Sequence, residues 1–96
     1  MTFASDALID LDEIEAYIAA DNVEAARRTV DGIRARLRIL VRFPTVGRER
    51  PELGSGTRSW PLGKYVAIYR VNGGRVQIAR ILHSRRDIRA AVLGSG

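Results

Sequence analysis

Six residues in the last third of the chain carry the side chains best suited to binding an anion. The guanidinium of arginine is permanently charged, and its planar fork holds a carboxylate or a phosphate through two hydrogen bonds. Several such groups lie on and just after the last two predicted strands, where they can converge on one surface. We expect target binding from Arg70, Arg80, His83, Arg85, Arg86 and Arg89.

The chain offers little for a catalytic or metal-binding centre. It contains no cysteine, which excludes thiolate nucleophiles, thiolate metal sites and disulfides. His83 is the single histidine and has no adjacent carboxylate, so a hydrogen bond at a strand end is favoured over a role as general base. The glycines do not precede the Lys-Ser or Lys-Thr pair of a phosphate-binding loop. We therefore predict no catalytic residue, no metal and no cofactor.

Charge is divided unevenly along the chain. The 96 residues include 16 Lys or Arg and 11 Asp or Glu, for a net charge of +5. Residues 1–26 carry −7 and residues 27–96 carry +12, which predicts an acidic cap beside a basic surface that meets an anionic partner. The arginines of the second predicted helix are expected to form a largely solvated face. We predict no direct, sequence-specific binding of nucleic acid.

The length allows one domain, which we assign to residues 1–93, with residues 94–96 as a flexible tail. The longest apolar run is far shorter than the roughly 20 residues of a membrane helix. The first residues lack the basic and apolar segments of a secretory signal, so the cytoplasm is the expected location.

Apolar spacing predicts two helices in the first half of the chain. The first runs from Ser5, as its cap, to about Ala20, because apolar residues recur at intervals of three and four. Asp21 and Glu24 have the form of a capping box for a second, longer helix, which ends at Phe43 because a proline follows. A turn this short requires the two helices to pack as an antiparallel hairpin.

The second half has the composition of a β-meander. Strands are predicted at 58–62, 64–71 and 75–82, with Asn72-Gly73-Gly74 as a hairpin turn. Ser84 and Asp87 can open a short closing helix that runs through residue 93. The predicted fold class is α+β, with the antiparallel helix hairpin packed on a three- to four-stranded antiparallel sheet and a short C-terminal helix.

In this order, the elements and their motifs resemble the RelE/ParE superfamily of bacterial toxins, and most closely ParE. Each motif is weak by itself, and their order and spacing over residues 6–88 make the resemblance specific. The motifs are Asp10-Leu11-Asp12-Glu13-Ile14, Phe43-Pro44, Gly47-Arg48, Arg50-Pro51-Glu52-Leu53, Arg58-Ser59, the run from Gly63 to Val71, and Ile81-Leu82-His83-Ser84-Arg85-Arg86-Asp87.

The resemblance implies the toxin of a type II toxin–antitoxin system. A ParE-like member would inhibit DNA gyrase by stoichiometric binding, without catalysis, and a ParD-like antitoxin would neutralise it by covering apolar surface. Antitoxin contacts are expected at Leu8, Leu11, Tyr65 and Ile68. Family members begin with a strand before the first helix, and only residues 1–4 are available for it here. That strand is either very short or begins upstream.

Two alternatives differ in class from a gyrase inhibitor. A RelE-like, ribosome-dependent mRNA endoribonuclease would need an arginine in the second long strand and a tyrosine in the closing helix. The sequence has Val66 and, near the second position, Val92. Arg86 and Arg58 alone keep a basic character in that pattern. A plain nucleic-acid-binding module would rest on the basic segment, but no recognised reader motif is present.

Overall fold

The computed structural model describes residues 1–93, so the tail predicted at 94–96 lies outside the described residues. No helix in the described part of the chain is long and apolar enough to cross a membrane. In chain order, the elements are β1 (Thr2–Phe3), α1 (Ser5–Ala19), α2 (Val23–Arg42), β2 (Arg48–Glu49), a 3-10 turn (Pro51–Leu53), β3 (Thr57–Leu62), β4 (Tyr65–Asn72), β5 (Arg75–His83) and α3 (Ile88–Leu93).

The predicted α+β class is confirmed, and the sheet is wider than expected. Its five strands lie in the order β1-β5-β4-β3-β2. The three long strands are antiparallel, and their edges are extended by β2 and by β1, which runs parallel to β5. Both added strands have only two residues, too few to show an alternating pattern. The strand that the resemblance places before the first helix is observed at Thr2–Phe3.

The predicted hairpin turn is confirmed, whereas the residues that begin the helices differ in part from those predicted. Gly73 and Gly74 both have positive φ between the paired residues Asn72 and Arg75, as a two-residue hairpin turn requires. The cap position of α1 is Ala4 rather than Ser5, with no side-chain cap.

The other two helices are capped by Asn22, next to the predicted Asp21, and by Asp87, which was predicted together with Ser84. Asn22 rather than Asp21 caps α2, by accepting a hydrogen bond from the Ala25 N–H at 2.9 Å. Asp87 Oδ1 accepts from the Ala90 N–H at the start of α3, at 3.1 Å. Ser84 lies four residues before Ile88, the first residue of α3, and its N–H donates to the Lys64 carbonyl at 2.8 Å, so it continues the β5 pairing instead. Side chains next to each other in sequence compete for a cap, and backbone geometry selects among them.

Both faces of the sheet are covered. The α1–α2 hairpin packs on one face, where its buried residues, including Ile33 and Leu37, join Ala67, Tyr69 and Ile78 of the strands. The opposite face holds a second apolar cluster, built on buried Leu53, Ile68 and Leu82, with Val66, Ile88, Ala91 and Val92 packed against it. The 3-10 turn and α3 thus close the face that the hairpin leaves open.

A bulge in β5 changes which of its residues face the helices. Ile68 pairs with Arg80, whereas the next residue, Tyr69, pairs with Ile78, so Ala79 is an extra residue in β5. Ile78 and Ile81, three positions apart, both enter the core under the helices as a result. A regular strand would have placed them on opposite faces.

Candidate functional site

A groove of about 970 Å³ opens where α1, α2 and one end of the sheet meet. Its base is apolar: Ile33 and Leu62 are buried, while Ile14, Ile18 and Tyr65 are half-buried and line it from α1 and β4. The helical spacing of Ile14 and Ile18 on α1 places both on the side that faces the sheet. We call this the hairpin groove, and it offers apolar surface that residues 1–93 leave uncovered.

The edge of the hairpin groove is basic. Exposed cationic or imidazole side chains surround the apolar base, namely Arg28, Arg36, Lys64, His83 and Arg86. Of the two carboxylates in the lining, Asp10 is already paired with Arg80, which leaves Glu13. Within residues 1–93, the lysine and the three arginines of this edge have no ion-pair partner. Their charge is therefore available to a ligand that is anionic and partly apolar.

Arg36 takes its position because the turn between β3 and β4 has no side chain at Gly63. This glycine has a φ of +72°, and a Cβ there would lie 2.7 Å from Arg36 Nη1. The guanidinium of a helix residue can thus reach across to the end of the sheet, beside Lys64. Because Gly63 has no side chain, the positively charged guanidinium of Arg36 can occupy one end of the hairpin groove.

His83 has the hydrogen-bonding role expected from the sequence. Its Nδ1 accepts a hydrogen bond from the Arg85 N–H at 3.1 Å, and its ring meets Tyr65 edge to face with centroids 5.5 Å apart. These contacts order the turn after β5, where Arg85 and Arg86 are both exposed. Three of the six predicted target-binding residues therefore lie together at this turn.

Of the remaining predicted target contacts, Arg70 is separated from that turn, whereas Arg89 follows the turn in sequence. Arg70 lies five residues along β4 from Tyr65, the partner of His83, which is about 17 Å at the rise of a strand. Its Nε donates to Thr57 Oγ1 at 3.3 Å. Arg89 is exposed on α3. The six residues do not converge on a single point, contrary to the expectation from strand order.

Arg80 is occupied within the fold. Its Nε and Nη2 donate to Asp10 Oδ2 and Oδ1 at 2.8 and 3.0 Å, and its Nη1 donates to the Ala91 carbonyl at 2.8 Å. The hydrogen bond with Asp10 raises the pKa of Arg80 above its ordinary value. This arginine connects α1, β5 and α3, so the sequence-based assignment to a target surface does not fit its placement.

The four residues expected to contact an antitoxin do not form one surface. Tyr65 lines the hairpin groove, and Leu8 is 46% exposed on α1 but does not line that groove. Leu11 is buried in the core under the helices, and Ile68 is buried in the cluster on the opposite face of the sheet. Leu11 and Ile68 are therefore core residues of the free chain, because a buried side chain has no surface to offer a partner.

The positions that matter for a RelE-type nuclease hold structural residues. Val66 and Val92 both pack on the second apolar cluster. Arg58 Nη1 donates to the carbonyls of Thr45 and Gly47 at 3.1 and 2.8 Å, which anchors the loop after α2. Val66 and Val92 therefore contribute to packing and Arg58 holds a loop, roles that the residue types alone did not indicate.

Tyr69 fixes the same loop from the sheet. Its hydroxyl donates to the Pro44 carbonyl at 2.8 Å and accepts from the Gly47 N–H at 2.9 Å. Burial raises the pKa of Tyr69 above the ordinary 10.0. The two partners of the hydroxyl lie 22 and 25 residues away in sequence.

Comparison with known proteins agrees with this architecture. Residues 1–88 match the family model described as the ParE toxin of the type II toxin–antitoxin system parDE. The chain belongs to the ParE family of type II toxins. It is 35% identical over 86 residues to the toxin ParE3 of Caulobacter vibrioides (strain CB 15). The aligned region covers 88% of this chain and 85% of that protein.

A solved structure extends the match to three dimensions. A chain from the chromosomal ParDE toxin–antitoxin system of P. aeruginosa superposes with a TM-score of 0.72 at 29% identity, covering 85% of this chain and 91% of that one. The ParE resemblance inferred from the sequence motifs is therefore confirmed.

Proposed function

We propose that this ParE-family toxin inhibits DNA gyrase by stoichiometric binding in the cytoplasm, and that a ParD-like antitoxin neutralises it. The observation that carries the proposal is the packing of Val66 and Val92 on the second apolar cluster. A RelE-type nuclease would need an arginine at Val66 and a tyrosine near Val92. Membership of the ParE family supports the same conclusion.

Cleavage of RNA by general acid–base catalysis requires proton-transferring and cationic groups that converge on one phosphate. Valine can supply neither function. Arg58 is one of the two residues that keep a basic character in the nuclease pattern, and its Nη1 donates to two loop carbonyls. A mechanism based on binding is therefore favoured over catalysis.

The surface proposed to meet gyrase is the turn after β5 together with the start of α3. Arg85, Arg86 and Arg89 are exposed there, and His83 orders the turn through its bond to the Arg85 N–H. None of these three arginines pairs with a carboxylate among residues 1–93. An exposed cluster of this kind suits carboxylates or phosphates on a large anionic target.

The hairpin groove is proposed as the antitoxin site. An apolar base with a basic edge suits an acidic amphipathic helix, whose apolar side would cover Ile14, Ile18 and Tyr65. Acidic side chains of the same helix would meet Arg36 and Lys64. This set replaces Leu11 and Ile68, which are buried in the free chain.

His83 and Arg86 belong both to the groove lining and to the proposed gyrase surface. A segment seated in the groove would cover them, so neutralisation would proceed by occlusion.

Two parallel assays test the proposal. The purified chain is added to gyrase with relaxed plasmid and ATP, and separately to a translation extract with a defined messenger RNA. We expect loss of supercoiling, its recovery on addition of the antitoxin, and intact RNA. Normal supercoiling together with cleaved RNA would reverse the assignment in favour of the RelE-like ribonuclease.

A further inference from the structure

One side of α2 carries a line of arginines that neither the groove nor the proposed gyrase surface uses. We propose that Arg27, Arg34, Arg38 and Arg42, the arginine stripe, bind the phosphate backbone of duplex DNA without regard to sequence. This inference rests on the proposed function, because the duplex would be the DNA on which gyrase acts.

The geometry of the helix aligns these four side chains. At 3.6 residues per turn they fall within an arc of about 80°, and they extend over about 22 Å along the axis. Successive arginines from Arg34 to Arg42 are about 6 Å apart along the helix. All four are exposed. The core residues of the helix, Ala26, Ile33, Leu37 and Leu40, occupy a different side.

The charges of the arginine stripe are not neutralised within the fold. Among residues 1–93, none of its four members forms an ion pair, and Asp31 in the same part of the helix pairs with none of them. Arg34 lies over the Phe3 ring at 5.8 Å and Arg42 over the Phe43 ring at 5.7 Å. An aromatic face orients a guanidinium while leaving the N–H groups at its edge free to donate.

Duplex DNA fits the arginine stripe better than other anionic partners. It is a continuous rod with one negative charge per about 1.7 Å, so several arginines in a row can each find a phosphate. A helix that lies on a membrane buries its apolar side in the lipid, whereas the apolar side of α2, with Ile33, Leu37 and Leu40, is already buried in the core. The strongly acidic N-terminal segment gives the chain a charge asymmetry that would orient the basic side toward the duplex.

The test measures the salt dependence of binding to a fluorescein-labelled duplex by anisotropy, using the full chain without gyrase. Each phosphate contact contributes about 0.9 to the slope of log K against log salt concentration, so the arginine stripe accounts for a slope of about −3.6. The double variant R34Q/R38Q should reduce the magnitude of the slope by about 1.8. The matched control R48Q/R75Q removes two exposed arginines elsewhere, and it should leave the slope unchanged. A duplex of scrambled sequence should bind equally well.

Three results would overturn the inference: no binding at low salt, equal slope changes in the two double variants, or tighter binding to phosphatidylserine vesicles than to the duplex. The assay also separates the two proposals. A chain that inhibits gyrase but binds no duplex refutes the arginine stripe alone. A chain that binds the duplex with the expected slope while gyrase works normally refutes the proposed function alone.

Discussion

Arg80 and Asp10, 70 residues apart in sequence, form a two-pronged ion pair at 2.8 and 3.0 Å. Asp10 is only 6% exposed and also accepts the Ile81 N–H at 2.9 Å. The pairing of β1 with β5 ends at Ile78, so no strand accepts the Ile81 N–H beyond the bulge. The Asp10 carboxylate accepts it instead. The pair thus connects the first helix, the last strand and, through the Ala91 carbonyl, α3.

Loss of the Asp10 carboxylate should be strongly destabilising. D10A leaves Arg80 without its counter-charge and the Ile81 N–H without an acceptor, at a cost of about 3 kcal/mol in the free energy of unfolding. Urea denaturation would measure it. D12A, an exposed acid on the same helix, is the control and should change stability by less than about 0.5 kcal/mol. Equal effects of the two substitutions would show that the pair contributes nothing specific.

Tyr69 should make the fold sensitive to alkali. Because burial raises its pKa above 10.0, the folded state favours the neutral phenol. That contribution is fully present below the unfolded pKa and is lost as the pH rises through the folded value. Urea midpoints should therefore fall above about pH 10 in the native chain. Y69F should be less stable near neutral pH but show a shallower alkaline decline, whereas an unchanged decline in Y69F would assign it to other groups.

Two glycines give opposite expectations for the same substitution. At Gly47 a Cβ would overlap the Tyr69 hydroxyl and lie 2.7 Å from the Ser59 carbonyl, so G47A should destabilise the chain by about 1–3 kcal/mol. At Gly32, exposed on α2, a Cβ meets nothing within 4 Å, and G32A should stabilise by up to about 1 kcal/mol through helix propensity. Thermal unfolding compares the two. A tolerated G47A would mean that the loop after α2 is not held as described.

The gyrase surface and the antitoxin groove should separate by mutation. Arg85 does not line the hairpin groove, so R85E should weaken gyrase inhibition at least tenfold while antitoxin affinity is kept. R36E/K64E should do the reverse, since both residues belong to the edge of the groove. R75E, at the distant hairpin, is the control for a change in net charge. Supercoiling and antitoxin binding are measured on each variant, and parallel losses in both assays would contradict the assignment of Arg85 to one surface and of Arg36 and Lys64 to the other.

The elements with strong periodicity could be predicted from the sequence. The spacing of apolar residues predicts both long helices, because it reports which side is buried. Composition and turn residues predict the three long strands. Strands of two residues have no period, so β2 is not predicted and β1 is expected only from the family resemblance. The bulge at Ala79 was missed as well, since it depends on pairing with β4 and not on β5 alone.

The site was less accessible to prediction than the fold. An apolar residue such as Leu11 or Ile68 has the same pattern whether it serves the core or a partner, and only packing distinguishes the two. An arginine such as Arg80 likewise reads as a free cation until its partner is known. The residues around Asp10 in the first helix give no indication that its carboxylate contacts β5. The hairpin groove required the packing of helices on the sheet, which is long-range information.

The toxin is proposed to inhibit gyrase by stoichiometric binding and not by catalysis. The most direct measurement is the toxin concentration that halves supercoiling, determined at several gyrase concentrations. A tight stoichiometric inhibitor requires proportionally more toxin as gyrase increases, and an equivalent amount of antitoxin should restore activity at each point. A half-inhibiting concentration far below that of gyrase, with inhibition that grows over time, would indicate catalysis and contradict the account.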